Sequence, residues 1–146
     1  MTENVSIRFA APHDLDFVWS DRHIPAETMQ HKIERQEIIV AEWNGDVVGC
    51  LQLEYLWSLV PYIALIWVEP EYRRQGMGKA LLRYAEAFLQ HKGHKVLYSS
   101  SEAAEPEPQA WHRHMGFQEC GIIAGMNEGG IGEVFFRKQL EKERDL

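Results

Sequence analysis

Several features that would point to a specialised role are scarce in this 146-residue chain. It has two cysteines, Cys50 and Cys120. They lie too far apart for the paired spacing of a zinc site or a redox dithiol, so both are expected to be reduced and structural. Basic charge is in deficit: 15 Lys and Arg stand against 22 Asp and Glu, a formal charge of −7. That balance argues against nucleic acid as a partner, whose footprint is a basic face, and is compatible with a cationic small substrate. Long apolar runs are missing. The longest, from Leu56 to Val68, contains Ser58, Pro61 and Tyr62, so no membrane span is expected. The opening MTENVSIRFA lacks the basic-then-apolar build of a signal peptide, and a cytoplasmic location is the simplest expectation. The histidines His91, His94, His112 and His114 have no Cys or acidic partner at ligand spacing, so no metal is expected.

What is present is an alternation of strand and helix patterns with no linker and no internal repeat, at an apolar content of 45% typical of one globular domain. Ser6 to Ala10 reads as a strand. Pro12 then suits a first helical turn, with Leu15, Val18 and Trp19 on one face. Pro25 to Gln36 is a more polar helix. Two β-rich runs meet at Asn44-Gly45, the preferred pair for a two-residue hairpin. Pro61 to Val68 is almost all apolar, as expected of a strand buried on both faces. Gly78, Leu81, Leu82, Ala85, Phe88 and Leu89 form a helical stripe that ends at Gly93. Lys95 to Ser100 is a strand, Glu107 to Met115 a short helix, and Glu119 to Met126 and Gly132 to Gln139 two more strands. Glu128-Gly129-Gly130 reads as a simple hairpin loop, and Trp43, Tyr55, Trp57 and Trp67 as core aromatics.

Between the apolar strand and the long helix lies RRQGMGKALL, from Arg73 to Leu82. A turn there directs unpaired N–H groups of the helix start toward one point, and the helix dipole adds positive character. Gly76 and Gly78 let an oxygen approach the backbone, while Arg73, Arg74 and Lys79 supply charge from the sides. A tight strand-to-helix turn with solvated basic residues is the plainer alternative. Two familiar phosphate loops do not fit. A Walker loop needs a hydroxyl where Ala80 stands and a glycine where Arg73 stands. A dinucleotide fingerprint needs a third glycine at Leu81.

The stretch VEPEYRRQGMGKALL resembles the Arg/Gln-x-x-Gly-x-Gly/Ala motif of the GNAT acetyltransferase superfamily, through Arg73, Gly76 and Gly78. Val68, Pro70, Tyr72 and Leu82 match its common flanking choices. SIRFAAPHDLDFV resembles the family's opening strand and helix, the Asn44-Gly45 hairpin its second and third strands, and WHRHMGF its late helix. The resemblance implies one α/β domain over residues 1–140, followed by a solvated tail over 141–146. Its mixed sheet would have about seven strands, splayed between the fourth and fifth and flanked by about four helices. It also implies acetyl-CoA as co-substrate. The pyrophosphate would rest on the N–H groups of Arg74, Gln75, Gly76, Met77, Gly78 and Lys79. The pantetheine arm would pair with Ile66, Trp67 and Val68, and an N–H near Val68 would polarise the thioester carbonyl. The reaction implied is acetyl transfer to a primary amine, small molecule or peptide, by direct attack in a ternary complex. A non-catalytic acyl-CoA-binding module is the alternative. Sheet edges and late strands leave a homodimer open.

Such chemistry wants a proton donor for the thiolate and an acceptor for the amine's proton. The family's usual acid is a Tyr four residues before the Gly of Gly-Phe; Gly116-Phe117 puts His112 in that place, and histidine can donate near neutral pH. The plainer account has His112 and His114 flanking the cofactor or facing solvent. An Asn common near pantetheine is replaced by Glu105, beside Pro106 and Pro108. For the base, Tyr62 lies at a spacing used by some family members, with Glu54 on the preceding strand and Glu102 near the end of the fifth. Glu54 is the first choice, because an acidic group also attracts a cationic amine.

Overall fold

Asn44 (φ 51) and Gly45 (φ 88) both lie in the left-handed region, as a type I′ turn requires, and the strands on either side pair antiparallel. This hairpin is the expected one. The computed structural model describes residues 4–140, and the tail expected over 141–146 lies outside the described residues.

Along the chain come β1 (Val5–Phe9), α1 (Leu15–Val18), α2 (Ala26–Glu34), β2 (Ile38–Trp43), β3 (Asp46–Leu56), β4 (Val60–Val68), α3 (Met77–His91), β5 (Val96–Glu102), α4 (Pro106–His114), β6 (Gln118–Ile123) and β7 (Glu133–Gln139). Hydrogen-bonded neighbours run β1-β2-β3-β4-β5-β7-β6 in one mixed sheet. The β4–β5 pair is parallel, while β5–β7 and β6–β7 are antiparallel. Among the described residues, four helices and seven strands match the architecture that the sequence implied.

Two contact-dense units can be distinguished. The first runs to Leu53 and resumes over Leu65–Ala87, and the second comprises Glu54–Ala64 and the chain from Phe88 onward. In the first, Ala10, Val18, Met29, Ile33, Ile38, Val40 and Cys50 form a buried cluster with Leu15, Phe17 and Leu65 packed on it. Burial of this kind is the main term holding the unit together. Cys50 is part of that core, and burial pushes its thiol up to about 12, so it is inert. Asp14 is 4% exposed. Burial disfavours its charge, but Arg8 Nη1 and the Ala11 N–H, each at 2.7 Å from Oδ2, outweigh that and hold the carboxyl below its usual value. In the second unit β5 alternates strictly, with Leu97, Ser99 and Ser101 buried. It pairs with β7 over seven register positions, from Val96↔Gln139 to Glu102↔Glu133.

Several expectations are corrected. The helix expected after Pro12 is only a 3₁₀ turn, Pro12–Asp14, followed by the single turn of α1. β4 is not buried on both faces: Ala64 is exposed and Trp67 is 43% exposed. Its partnership with β5 is given by one register pair, Tyr62↔Tyr98, and that narrow pairing offers little cover to the rest of the strand. Nor are the aromatics core. Trp57 is 87% exposed, and Trp43 and Tyr55 are half-buried. Cys120 is exposed on β6 rather than structural. β6 stops at Ile123 because Gly125 (φ 69) turns the chain. The segment before β7 is more than a simple hairpin loop: Glu128–Gly130 is a 3₁₀ turn, with Asn127 N–H bonded to the Ile131 carbonyl at 2.9 Å.

Candidate active site

The phosphate turn is built by the elements on either side of it. Glu69 N–H bonds to the Val48 carbonyl at 2.8 Å, which ties the end of β4 to β3. A 3₁₀ turn, Pro70–Tyr72, follows. Arg73 then folds back: its Nε donates to the Val68 carbonyl at 2.7 Å, and its guanidinium lies 4.5 Å over the Trp67 ring. Arg74 (φ 63) and Gly76 (φ 86) are both left-handed, and this reverses the chain sharply into α3. From there Leu81, Leu82, Ala85 and Leu89 of the stripe read in the sequence, joined by Met77 and each at most 2% exposed, anchor the helix, while Gly78 and Phe88 of that stripe are half-buried.

The helix start is therefore rigidly held while its polar end is presented outward. Ala80 N–H is bonded to the Gly76 carbonyl at 2.9 Å. The N–H groups of Met77, Gly78 and Lys79 precede the first intrahelical bond and have no acceptor within the helix. A Cβ built on Gly76 would meet nothing within 4 Å, so the approach to this backbone is open. Arg74, Gln75 and Lys79 are exposed. These residues fit a pyrophosphate, because anchored N–H donors, a helix dipole and cationic side chains converge on an unobstructed turn. Upstream on β4, Ile66 and Val68 are half-buried and Trp67 is exposed. The same unit holds an open cavity of about 520 Å³ lined by Asp16, Phe17, Ser20, Cys50, Leu65, Trp67 and Glu69. Its two carboxylates and two aromatic rings suit a cation that carries an apolar body.

The acid and base candidates all lie in the second unit, in different settings. Tyr62 is half-buried, and its ring stacks on Phe135 with centroids 5.9 Å apart. Its hydroxyl is 2.6 Å from Ser100 Oγ, which donates to Glu133 Oε2 at 2.5 Å; Asn127 Nδ2 donates to the other oxygen, Oε1, at 2.9 Å. Burial, with Glu133 and Glu54 nearby, pushes the Tyr62 phenol above its ordinary value despite the Ser100 hydrogen bond. Glu54 is exposed on β3 and acts on Tyr62 through its charge. The sequence pattern singled out Tyr62 and Glu54 but not Ser100, Glu133 and Asn127, which the structure brings to the Tyr62 hydroxyl. The available signal was the run Ser99-Ser100-Ser101-Glu102, unusually polar for a strand.

His112 neither faces solvent nor sits with Tyr62. It is 3% exposed, stacked on Phe136 at 4.6 Å and 2° between planes. Nδ1 lies 2.7 Å from the Pro108 carbonyl and Nε2 lies 2.7 Å from Ser99 Oγ. A carbonyl only accepts, so Nδ1 carries the proton and Nε2 accepts from the serine hydroxyl. Burial lowers the imidazole's proton affinity, partly offset by the Pro108 hydrogen bond, and the ring is neutral at pH 7. Ser99 and Ser100 are consecutive on β5 and point to opposite faces, so His112 and Tyr62 address opposite sides of that strand. Glu105 is exposed at the N-terminal cap of α4. Among the described residues no cluster of His, Cys, Asp and Glu could hold a metal, and no helix is long and apolar enough to cross a membrane.

In this mixed α/β sheet the parallel strands β4 and β5 are joined through the glycine turn and α3. The sequence matches the Acetyltransferase (GNAT) family over residues 6–117, and the chain belongs to that family of acetyltransferases. The S-alkylcysteine N-acetyltransferase of Bacillus subtilis (strain 168) is 27% identical over 149 residues, covering 96% of this chain and 82% of its own. The probable N-acetyltransferase 14 of Danio rerio is 30% identical over 94 residues; the match covers 63% of this chain and 33% of that relative's length. Among solved structures, yncA of Salmonella typhimurium, a candidate acetyltransferase determined with its cofactor acetyl-CoA, superposes with a TM-score of 0.80 over 97% of both chains. At 19% identity, that likeness speaks for the fold alone.

Proposed function

We propose that the protein transfers an acetyl group from acetyl-CoA to a primary amine by direct attack in a ternary complex. The observation that carries this reading is the turn at Arg74–Lys79, two left-handed residues leading into an anchored helix start, in a chain of the acetyltransferase family. Acetyl-CoA supplies the activated acyl group. The N–H groups of Arg74 to Lys79 hold its pyrophosphate, and Arg74 and Lys79 add charge. Ile66, Trp67 and Val68 offer a partly exposed strand for the pantetheine arm, and a backbone N–H near Val68 polarises the reacting carbonyl. Arg73 is a positioning residue that closes the turn on the Val68 carbonyl.

Tyr62 stands next to the amine, and Glu54 draws the cationic amine toward it. His112 holds α4 against β5 and β7. A CoA thiol has a pKa near that of Cys, so its thiolate is a tolerable leaving group without a strong acid. The acceptor is a small or peptide amine in the cytoplasm. The named cysteine-derivative activity of the Bacillus relative makes S-substituted cysteines the first acceptors to try.

Ligand-dependent stability tests cofactor identity. A ligand at about a hundred times its Kd stabilises by roughly 2.7 kcal/mol, so acetyl-CoA in millimolar excess should raise the melting temperature by about 5–10 °C. ATP or NAD, which lack a pantetheine arm, should do much less. A larger shift with either nucleotide would contradict the assignment.

A further inference from the structure

We propose that Tyr62, Ser100 and Glu133 form a proton relay that takes a proton from the acceptor amine and stores it on the Glu133 carboxylate, with Asn127 fixing that carboxylate. The inference rests on the acetyltransferase reading. Ser100 has one hydroxyl proton and donates it to Glu133 Oε2. It therefore accepts at the 2.6 Å contact with Tyr62, which makes Tyr62 the donor there. Two proton positions then point the same way, toward the carboxylate, and the remaining lone pair of the Tyr62 oxygen is left to accept from outside.

The wire is assembled from three strands of the second unit. β4 contributes Tyr62, β5 contributes Ser100, and β7 contributes Glu133, with Ser100 opposite Phe135 and Tyr62 opposite Tyr98 in register. Phe135 stacks on Tyr62 and fixes the phenol's plane. Asn127, held by the 3₁₀ turn before β7, occupies Oε1, so that Oε2 faces the serine. Around the wire stand Glu54 on β3, Glu102 of β5 opposite Glu133 in register, and His112 of α4, whose imidazole feels the Glu133 charge. The field of the two flanking carboxylates favours the arrival of a proton on Glu133.

In one concerted shift, the ammonium gives a proton to the Tyr62 oxygen, Tyr62 gives its own to Ser100, and Ser100 gives its own to Glu133. The products are a free amine and a neutral carboxyl, with Tyr62 and Ser100 chemically unchanged. Glu133 then releases the proton to water. A phenol held neutral by its surroundings cannot act as a base unless it has such an outlet.

Glu133→Gln supplies the sharpest test. Its amide oxygen can still accept from Asn127, but its NH₂ donates to Ser100. That reverses the serine and the tyrosine, and Tyr62 then presents a proton where the amine needs a lone pair. Amine-dependent thiol release should be measured from pH 6 to 9 with S-methylcysteine, kanamycin, spermidine and an alanyl peptide as probes. Glu133→Gln and Ser100→Ala are expected to lower kcat about a hundredfold, with unchanged acetyl-CoA affinity and the fold intact. Ser100→Thr, which keeps a hydroxyl, should restore most of the rate lost in Ser100→Ala. Wild-type kcat and pH profile in both Glu133→Gln and Ser100→Ala would overturn the relay while leaving the acetyltransferase reading in place. No turnover of any probe by the wild-type protein would overturn both.

Discussion

Gly78→Val is expected to abolish acetyl-CoA binding while the protein stays folded. Gly78 is the second residue of α3, where valine adopts helical angles without strain and has the better helix propensity of the two. Its branched side chain projects at the helix start, where the first N–H groups must meet the pyrophosphate. Losing two charge-assisted hydrogen bonds, at roughly 1.5–3 kcal/mol each, corresponds to at least about a hundredfold in Kd. Gly76→Val should do the same and also destabilise the turn by about 1–2 kcal/mol, because φ 86 is unfavourable for a residue with a Cβ. Calorimetry with acetyl-CoA on the two variants separates blockage from strain. A Gly78→Val protein with native affinity would remove the phosphate assignment.

His112→Ala is expected to cost stability far more than catalysis. The substitution removes a buried ring stacked on Phe136 together with its hydrogen bonds to Ser99 Oγ and the Pro108 carbonyl. The loss is about 2–4 kcal/mol, or roughly 5–15 °C in melting temperature. With the folded protein assayed at low temperature and saturating substrates, kcat should fall less than about tenfold. A hundredfold loss of kcat with the fold intact would instead make His112 the proton donor that its motif position implied. Its titration gives a second signature. Because burial lowers the folded-state value below the ordinary 6.5, the unfolded chain takes up this proton first as pH falls. The stability that His112 contributes is therefore complete above about pH 6.5 and declines as pH drops through it. His112→Phe should flatten that part of the stability–pH curve.

What could be read from the sequence was local. Asn44-Gly45 specified its own turn, the stripe from Leu81 to Leu89 specified the buried face of α3, and Gly76 supplied a conformation that few other residues tolerate. What could not be read depended on partners distant in the chain. The apolar composition of β4 implied two covered faces, but cover depends on neighbouring strands, and β5 meets β4 in register at Tyr62. The contact between Ser100 and Glu133 spans 33 positions and exists because β7 inserts between β5 and β6. No short-range pattern encodes that insertion. His112 occupied the family's acid position in the motif, yet its environment was decided by Phe136 and Ser99 on two other strands.

The central claim is acetyl transfer to an amine, and release of free CoA thiol by the wild-type protein at saturating acetyl-CoA tests it most directly. Each amine of the panel should be compared with an amine-free blank, and the acetylated product identified by mass. The account predicts release that depends on at least one amine, matches its acetylation mole for mole, and disappears in Gly78→Val. Acetyl-CoA bound with ordinary affinity but released by no amine would contradict it, and would make the protein an acyl-CoA-binding module.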